Sequence, residues 1–178
     1  MPKAKLIESH FTKEHVITDD SDSARELFNR SVFGVLNKSN KVELSFVEAL
    51  FLLEKDKIIV LDGRNSKVSK ESFIRKAQKQ DRNFWTRYIV FRNLRDRGYV
   101  VKTALKFGAD FRVYDRGVKP GEDHAKWVVF AVHESNVQTW HEFSAKNRVA
   151  HSTKKRLLLG VVDAEGDVSY WESRWVRP

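Results

Sequence analysis

Short apolar runs alternate with amphipathic segments through the first 80 residues. "HVITDD" and "KIIVLDG" have the β-branched composition of strands, and the second run ends in a turn at Asp62-Gly63. "SDSARELFNR" carries apolar side chains three and four residues apart, as a short helix does. Ser45 followed by Glu48 forms a capping box, which predicts a helix beginning at Ser45, and Ser69 begins a further polar helix. The pattern therefore predicts a small α/β unit.

The pattern changes near residue 82, where one long helix is followed mostly by strands. "RNFWTRYIVFRNLRDRG" has apolar residues at helical spacing and ends at Gly98. Five strand-like runs follow, "YVVKTALKF", "DFRVY", "KWVVFAV", "RLLLGVVD" and "DVSYWES", with a hairpin turn at 164–166. Among them "SNVQTWHEFSAKN" is predicted to be a helix capped by Ser135. We expect an α/β (α+β) protein with an N-terminal mixed α/β domain at 1–81 and a C-terminal domain at 82–178, whose mixed sheet is flanked by helices.

Composition narrows the classes of function. The chain has no cysteine, which excludes disulfides, thiolate nucleophiles and cysteine-based zinc sites. No apolar stretch reaches the roughly 18 residues that span a bilayer, and no signal peptide opens the chain, so we expect a cytoplasmic protein without a membrane partner. The net charge is +9, and residues 81–178 hold 18 basic against 12 acidic residues. A basic surface of this kind suits a polyanion such as nucleic acid.

Candidate catalytic groups lie in the second unit. The metalloprotease pattern, a phosphate-binding glycine loop and a GxSxG motif are all absent from the sequence, which favours side-chain chemistry without a metal or cofactor. Tyr114 and His124 flank the Gly/Pro-rich loop of "VYDRGVKPGEDHAKW", and "HSTKKR" supplies basic residues at 154–156. RNA cleavage without a metal needs a base for the 2′-hydroxyl, an acid for the departing 5′-oxygen and a cation for the phosphorane. These residue types fit a metal-free ribonuclease.

Two other functions remain open from the residues alone. Asp110, Asp115, Glu122 and Asp123 could supply the carboxylates of a metal-dependent DNA nuclease of restriction-like fold, although their spacing is not that of a compact motif. A non-catalytic RNA-binding subunit would also be basic. Such a subunit would lack one of the three catalytic groups, whereas this sequence supplies all three.

Two blocks, "NLRDRGYVVKTALKFGADFRVYDRG" and "RVAHSTKKRLLLGVVDAEGDVSYWESRWVRP", closely resemble the archaeal tRNA-splicing endonuclease family. The similarity covers residues 84–178, and "SFVEALFLLEKDKI" extends it weakly into the first unit. It implies a restriction-endonuclease-like C-terminal domain that excises introns from precursor tRNA at bulge–helix–bulge motifs. Metal-independent attack by the 2′-hydroxyl would leave 2′,3′-cyclic phosphate and 5′-hydroxyl ends. By position, the resemblance implies that Tyr114 is the base, His124 the acid and Lys155 the transition-state stabiliser, with Lys154 as the alternative lysine.

The resemblance also implies an RNA-binding pair. Family members hold a flipped-out bulge base between two flat side chains from a neighbouring subunit. The first matches Arg148 in "NRVAHS", and the second falls in "ESRWVRP", where Trp175 is the best match and Arg174 and Arg177 are alternatives. A guanidinium and an indole would grip any base by its π-face.

An acidic turn is the last transferable feature. In the family, an acidic loop at the position of "DAEGD" docks into a basic pocket of an opposing subunit. Asp163, Glu165 and Asp167 occupy that turn here. Because one chain carries both the catalytic trio and the acidic loop, we expect a homotetramer, with a heterotetramer containing a structural subunit as the alternative.

Overall fold

The computed structural model describes residues 6–178, and the chain divides into two units between Phe84 and Trp85. Each unit contains a five-stranded mixed sheet packed with helices, which confirms the predicted mixed α/β class. No helix in residues 6–178 is both long and apolar enough to cross a membrane.

The first unit contains, in chain order, β1 (Ile7–Phe11), β2 (Val16–Thr18), α1 (Asp22–Asn29), β3 (Val35–Leu36), β4 (Val42–Leu44), α2 (Phe46–Glu54), β5 (Ile58–Leu61) and α3 (Lys70–Gln80). Its sheet has the strand order β3-β4-β2-β1-β5. Only β1 and β5 run parallel, and the other neighbours are antiparallel. The parallel pair is joined by a long crossover that includes α2, as parallel strands require.

The capping box at the start of α2 is confirmed and has a second use. The Ser45 amide donates to Glu48 Oε2 at 2.9 Å, while Glu48 Oε1 accepts from the Gly34 amide at 2.9 Å. Glu48 is only 3% exposed, so its carboxylate satisfies two backbone groups inside the unit. Nearby, the rings of Phe11 and Phe46 stack with centroids 4.9 Å apart. A local sequence signal therefore fixes both a helix start and part of the core.

The second unit contains, in chain order, α4 (Phe84–Asp96, whose first residue belongs to the first unit), β6 (Val100–Thr103), β7 (Phe111–Tyr114), β8 (Trp127–His133), α5 (Trp140–Ser152), β9 (Arg156–Val162) and β10 (Val168–Ser173). Its sheet has the order β10-β9-β8-β7-β6, with β8 and β9 parallel and the other pairs antiparallel. The crossover between β8 and β9 is α5.

The two helices of this unit cover opposite faces of the sheet. A Cβ at Gly160 would come within 2.9 Å of the Val90 side chain, so α4 approaches that face too closely for any other residue. On the other face, Ala150 of α5 is buried in one cluster with Val128 and Leu157. Because side chains alternate along a strand, the faces towards α4 and α5 can be assigned from the register.

Two local predictions in the second unit are wrong. "YVVKTALKF" is a strand only to Thr103, and Leu105–Phe107 form a 3₁₀ turn. α5 is capped by Thr139, whose amide donates to Glu142 Oε2 at 2.7 Å in a capping box, and not by Ser135. The Ser135 hydroxyl instead lies 2.8 Å from His133 Nδ1. The reciprocal Thr139–Glu142 pair satisfies two backbone donors at the helix start, which a lone serine cannot do.

Candidate active site

Strand register brings two of the predicted catalytic residues to the same end of the second sheet. Val113 lies opposite Trp127, and Trp127 lies opposite Arg156. Tyr114 directly follows Val113 and Lys155 directly precedes Arg156, so both occupy this end. Two strand spacings put their backbones roughly 10 Å apart. Side chains of this length can both reach a group that lies between them.

His124 lies on the loop between β7 and β8 at the same end of the sheet. The Lys126 amide donates to the Val113 carbonyl at 2.9 Å, which closes the loop two residues after His124. The loop is held further by Lys126 Nζ, 3.4 Å from Asp115 Oδ1, and the His124 amide donates to its neighbour Asp123 at 2.6 Å. His124 is exposed to solvent. The structure thus places His124 on the loop that also begins at Tyr114.

Tyr114 lies on the face of the sheet that α5 covers. It is the last residue of β7 and shares its side of the strand with Arg112, two residues earlier. Arg112 lies opposite Val128, a member of the cluster packed under α5. Tyr114 is 5% exposed, and its hydroxyl makes no hydrogen bond with the residues that the structure describes. The Tyr114 ring is therefore held in place by packing, and its hydroxyl is available for a hydrogen bond to a ligand.

Lys155 lies on this face too. Its Nζ donates to the Thr153 carbonyl at 2.8 Å, and the residue is half-buried. Burial and, second, the positive charge of Arg112 lower the pKa of the Lys155 ammonium below its ordinary value. The Arg112 guanidinium and the Lys155 ammonium therefore repel each other across β8. A cation of this kind is poised to accept an anionic ligand.

The backbone at the end of α5 distinguishes Lys155 from Lys154. The Lys154 amide donates to the His151 carbonyl at 3.0 Å and the Lys155 amide to the Ala150 carbonyl at 2.9 Å. These two bonds form a Schellman motif, in which Lys154 adopts the left-handed conformation with φ +54°. Lys154 is exposed whereas Lys155 is half-buried. The motif therefore turns the chain so that Lys155 is the lysine that enters β9 on the side of Arg112.

Arg148 and Trp175 line one groove of about 490 Å³ between α5 and the C-terminal segment. A second cavity of about 350 Å³ lies beside it and is lined by Lys155. His151 and Trp175 line both cavities, and their rings are in contact with centroids 4.9 Å apart and planes tilted by 46°. Sequence reasoning missed His151, although its position one helical turn after Arg148 could have indicated it.

Arg174 and Trp175 are held differently. The Arg174 guanidinium donates to Glu172 Oε1 at 2.6 Å, and Glu172 also accepts from Trp127 Nε1 at 2.7 Å and faces Arg156 at 3.5 Å. The Trp127 bond, followed by the bond from Arg174 and the charges of both arginines, lowers the pKa of the Glu172 carboxyl. Trp175 is 62% exposed. Of the C-terminal candidates, the Arg174 guanidinium is therefore already paired within the chain, while the Trp175 ring is mostly exposed and contacts the His151 ring. Arg177 is exposed.

The acidic turn between β9 and β10 uses one of its three carboxylates internally. Asp163 Oδ1 accepts from the Glu165 amide at 3.0 Å and from the Asp167 amide at 2.9 Å. Glu134 reinforces the turn by accepting from the Ala164 amide at 2.9 Å. Glu165 and Asp167 are exposed. Asp163 therefore shapes the turn, and the other two side chains carry its outward negative charge.

The carboxylates of the alternative nuclease site are dispersed. Asp110 Oδ2 accepts from the Ala131 amide at 2.8 Å, and Asp110 Oδ1 lies 2.9 Å from Arg87 Nε. Asp110 directly precedes β7, whereas Asp115 follows its other end. Within residues 6–178, no three histidine, aspartate or glutamate side chains are grouped so that they could hold a metal ion. Asp110 thus has the contacts of a structural residue.

Comparison with known proteins gives a consistent family assignment. Residues 7–74 match the family model described as tRNA intron endonuclease, N-terminal domain, and residues 84–170 match the catalytic C-terminal domain. A tRNA-splicing endonuclease of Thermococcus onnurineus is 38% identical over 172 residues, covering 96% of this chain and 97% of the relative. That of Methanothermobacter thermautotrophicus is 36% identical with 97% and 99% coverage, and that of Nanoarchaeum equitans 44% identical with 76% and 90% coverage.

Proposed function

The chain belongs to the tRNA intron endonuclease family and is a tRNA-splicing endonuclease, and on this premise we propose how it acts. It cuts precursor tRNA at bulge–helix–bulge motifs by metal-independent attack of the RNA's own 2′-hydroxyl. The products carry 2′,3′-cyclic phosphate and 5′-hydroxyl ends. The observation that carries the proposal is that Tyr114 and Lys155 share one end of the sheet, where the loop bearing His124 also closes.

The proposed reaction is a transesterification with two proton transfers, one from the 2′-hydroxyl and one to the 5′-oxygen. Tyr114, reacting as the phenolate, takes the proton from the 2′-hydroxyl and becomes a phenol, and the 2′-oxygen forms a bond to phosphorus. His124 gives a proton to the 5′-oxygen as its bond to phosphorus breaks. Lys155 stabilises the charge that develops on the non-bridging oxygens of the phosphorane. Its short tether to the Thr153 carbonyl, at 2.8 Å, supports a fixed position for that charge.

We further propose that the groove between α5 and the C-terminal segment takes a bulge base. Arg148 and Trp175 line the same groove and offer a cation and a mostly exposed indole ring. Stacking on an aromatic ring is tolerant of base identity, which suits recognition by RNA shape. Arg148→Ala should weaken binding of a bulged RNA more than binding of the same helix without bulges. Equal losses for both RNAs would reduce Arg148 to a non-specific phosphate contact.

The proposed assembly is a homotetramer in which the acidic turn docks on another subunit. The exposed Glu165 and Asp167 side chains suit a cationic pocket, because like charges crowded in a turn gain nothing by themselves. β10 is an edge strand and Trp171 on it is 67% exposed, which also supports self-association. The mass of the protein purified alone tests this, and activity that appears only after addition of a second chain would favour the heterotetramer.

One cleavage assay tests the proposed mechanism. Purified protein is incubated with a bulge–helix–bulge RNA in EDTA, and the product ends are identified by their reactivity towards phosphatase and kinase. We expect cutting in EDTA with cyclic phosphate ends, and no cutting of an RNA with 2′-deoxyribose at the scissile positions. Strict dependence on added magnesium, or cleavage of the deoxy substrate, would overturn the mechanism.

A further inference from the structure

Arg112 is a cation on the proposed catalytic face that makes no ion pair with any residue in the range 6–178. Its Nε is buried and has no hydrogen-bond partner, and no carboxylate in the described part of the chain lies within ion-pair distance of it. Its guanidinium carbon lies 5.1 Å from the ring centre of Phe107, which supports the side chain from one side. A buried N–H group without an acceptor is costly, so it is expected to persist where a ligand supplies the acceptor.

The register places Arg112 beside the proposed catalytic groups. Arg112 lies opposite Val128, and Val128 lies opposite Leu157, two residues beyond Lys155. Arg112 also shares its side of β7 with Tyr114. The pKa of Lys155 is lowered first by burial and then by the charge of Arg112, so the two cations repel each other. An anion held between them would turn this repulsion into attraction.

We propose that Arg112 is a second phosphate-binding residue of the active site and that, with Lys155, it holds the non-bridging oxygens of the scissile phosphodiester. This inference rests on the proposed function of the same site. A guanidinium presents N–H groups in a fixed fork that fits phosphate oxygens, and it stays charged at every accessible pH. Arg112 therefore binds and positions the phosphate and takes no part in proton transfer.

The first test needs no RNA. Lysine side chains are labelled with ¹³C, and the Lys155 ammonium is titrated by NMR in the wild type, Arg112→Gln and Arg112→Lys proteins, with inorganic phosphate or with chloride at equal ionic strength. We expect phosphate to raise the Lys155 pKa in the wild type. Arg112→Gln should raise that pKa without phosphate, because one repelling charge is gone, and should abolish most of the phosphate effect. Arg112→Lys should retain both properties in part.

The second test uses single-turnover cleavage of a bulged RNA. Arg112→Gln should slow the chemical step roughly 100-fold, as removal of one transition-state donor does. RNA affinity should change much less, and the alkaline limb of the rate should move to higher pH. Arg112→Lys should recover part of the rate. The matched control is Arg97→Gln, since Arg97 also lies over an aromatic ring, that of Tyr170, at 5.7 Å, and it should keep the wild-type rate.

The outcomes separate the inference from the function on which it rests. If the wild type cuts and Arg112→Gln cuts at the same rate with an unchanged Lys155 pKa, Arg112 is only a packing residue and the inference is wrong. If the wild type does not cut the RNA, the proposed function fails first, and the phosphate titration still decides whether Arg112 and Lys155 form an anion site. If Arg112→Gln does not fold, Arg112→Lys carries the same two measurements.

Discussion

Two tyrosines on opposite faces of the second sheet show how differently one side chain is used. Tyr170, on the face towards α4, is largely buried and donates to Asn93 Oδ1 at 3.0 Å. Burial raises its pKa well above the ordinary value, so it stays a protonated donor. Tyr114, on the face towards α5, is also buried, yet its hydroxyl bonds to no described residue. The Tyr170 hydroxyl is therefore used by the fold, whereas the Tyr114 hydroxyl has no hydrogen-bond partner among residues 6–178 and is available to a ligand.

The arginines on the two faces of the sheet also differ in whether they are paired with a carboxylate. Arg87 of α4 lies 2.9 Å from a carboxylate oxygen of Asp110, and both side chains are mostly buried. Arg112 makes no ion pair with a carboxylate among residues 6–178, and its charge lowers the pKa of Lys155 on the same face. Removing one partner of a buried ion pair costs stability, and a buried charge without a partner costs stability unless a ligand supplies one. The two faces thus differ in how their cations are paired, and under the proposed function the unpaired cations lie on the face towards α5.

The largest effect should come from the loop at the end of the sheet. His124→Ala should slow cleavage 10²- to 10⁴-fold, the usual contribution of a general acid, while the urea midpoint and RNA affinity stay near those of the wild type. Single-turnover rates and filter binding measure this. His133→Ala is the matched control, because His133 ends β8 at the opposite end of the sheet. An equal loss of cleavage rate in both variants would contradict the assignment of the catalytic residues to one end of the sheet.

The face towards α4 should respond in stability and not in chemistry. Asp110→Ala leaves Arg87 buried without its ion partner and should lower the free energy of unfolding by roughly 2 to 4 kcal/mol. Asp115→Ala removes a more exposed pair with Lys126 and should cost less than about 1 kcal/mol. Urea titrations give both values. The cleavage rate per folded molecule of Asp110→Ala should match the wild type, and a loss comparable to that of His124→Ala would revive a carboxylate-based site.

The groove beside α5 should show an intermediate effect on RNA affinity. Trp175→Ala removes an open ring and should weaken binding of a bulged RNA by about 1 to 3 kcal/mol, the usual contribution of one stacked base. Arg174→Ala should have a smaller effect, because Glu172 holds that guanidinium at 2.6 Å within the chain. Fluorescence anisotropy measures both affinities. A larger loss for Arg174→Ala would identify the arginine as the base-gripping partner.

Local signals explain which parts of this picture the sequence predicts. The Ser45–Glu48 box is a four-residue pattern, and it is present as predicted. The predicted start of α5 at Ser135 is wrong, although Thr139 and Glu142 have the same capping-box spacing as Ser45 and Glu48 and could have indicated the cap from the sequence. The parallel pairing of β8 with β9 follows the strand–helix–strand order of that segment, whereas the pairing of β1 with β5 joins strands separated by three other strands and two helices and follows from no local rule. Regular elements were therefore more predictable than their neighbours in space.

The candidate site likewise has features that the sequence predicted and features that only the structure shows. The resemblance named Tyr114 and Lys155, but it did not separate Lys155 from Lys154 on physical grounds. That separation follows from the helix-terminating bonds, which depend on backbone angles. Arg112 could have been foreseen, since it alternates with Tyr114 on the same strand. The Arg112 Nε lacks a hydrogen-bond acceptor. This could not be predicted from the sequence, because it depends on the positions of all the side chains that surround the guanidinium in the fold.

The smallest predicted effect tests whether the functional face carries a cost in stability. Lys154 holds the left-handed position of the Schellman motif, where glycine avoids the clash of a Cβ with the backbone. Lys154→Gly should therefore raise the free energy of unfolding by about 0.5 to 1 kcal/mol, after allowance for the greater freedom of glycine in the unfolded chain. Lys154→Ala, which keeps the Cβ, should give no gain, and chemical denaturation compares the three proteins. The cleavage rate of Lys154→Gly should stay near that of the wild type, because Lys155 keeps its place. A strong loss of rate would instead assign the catalytic ammonium to Lys154, and the strained position would then be explained by chemistry.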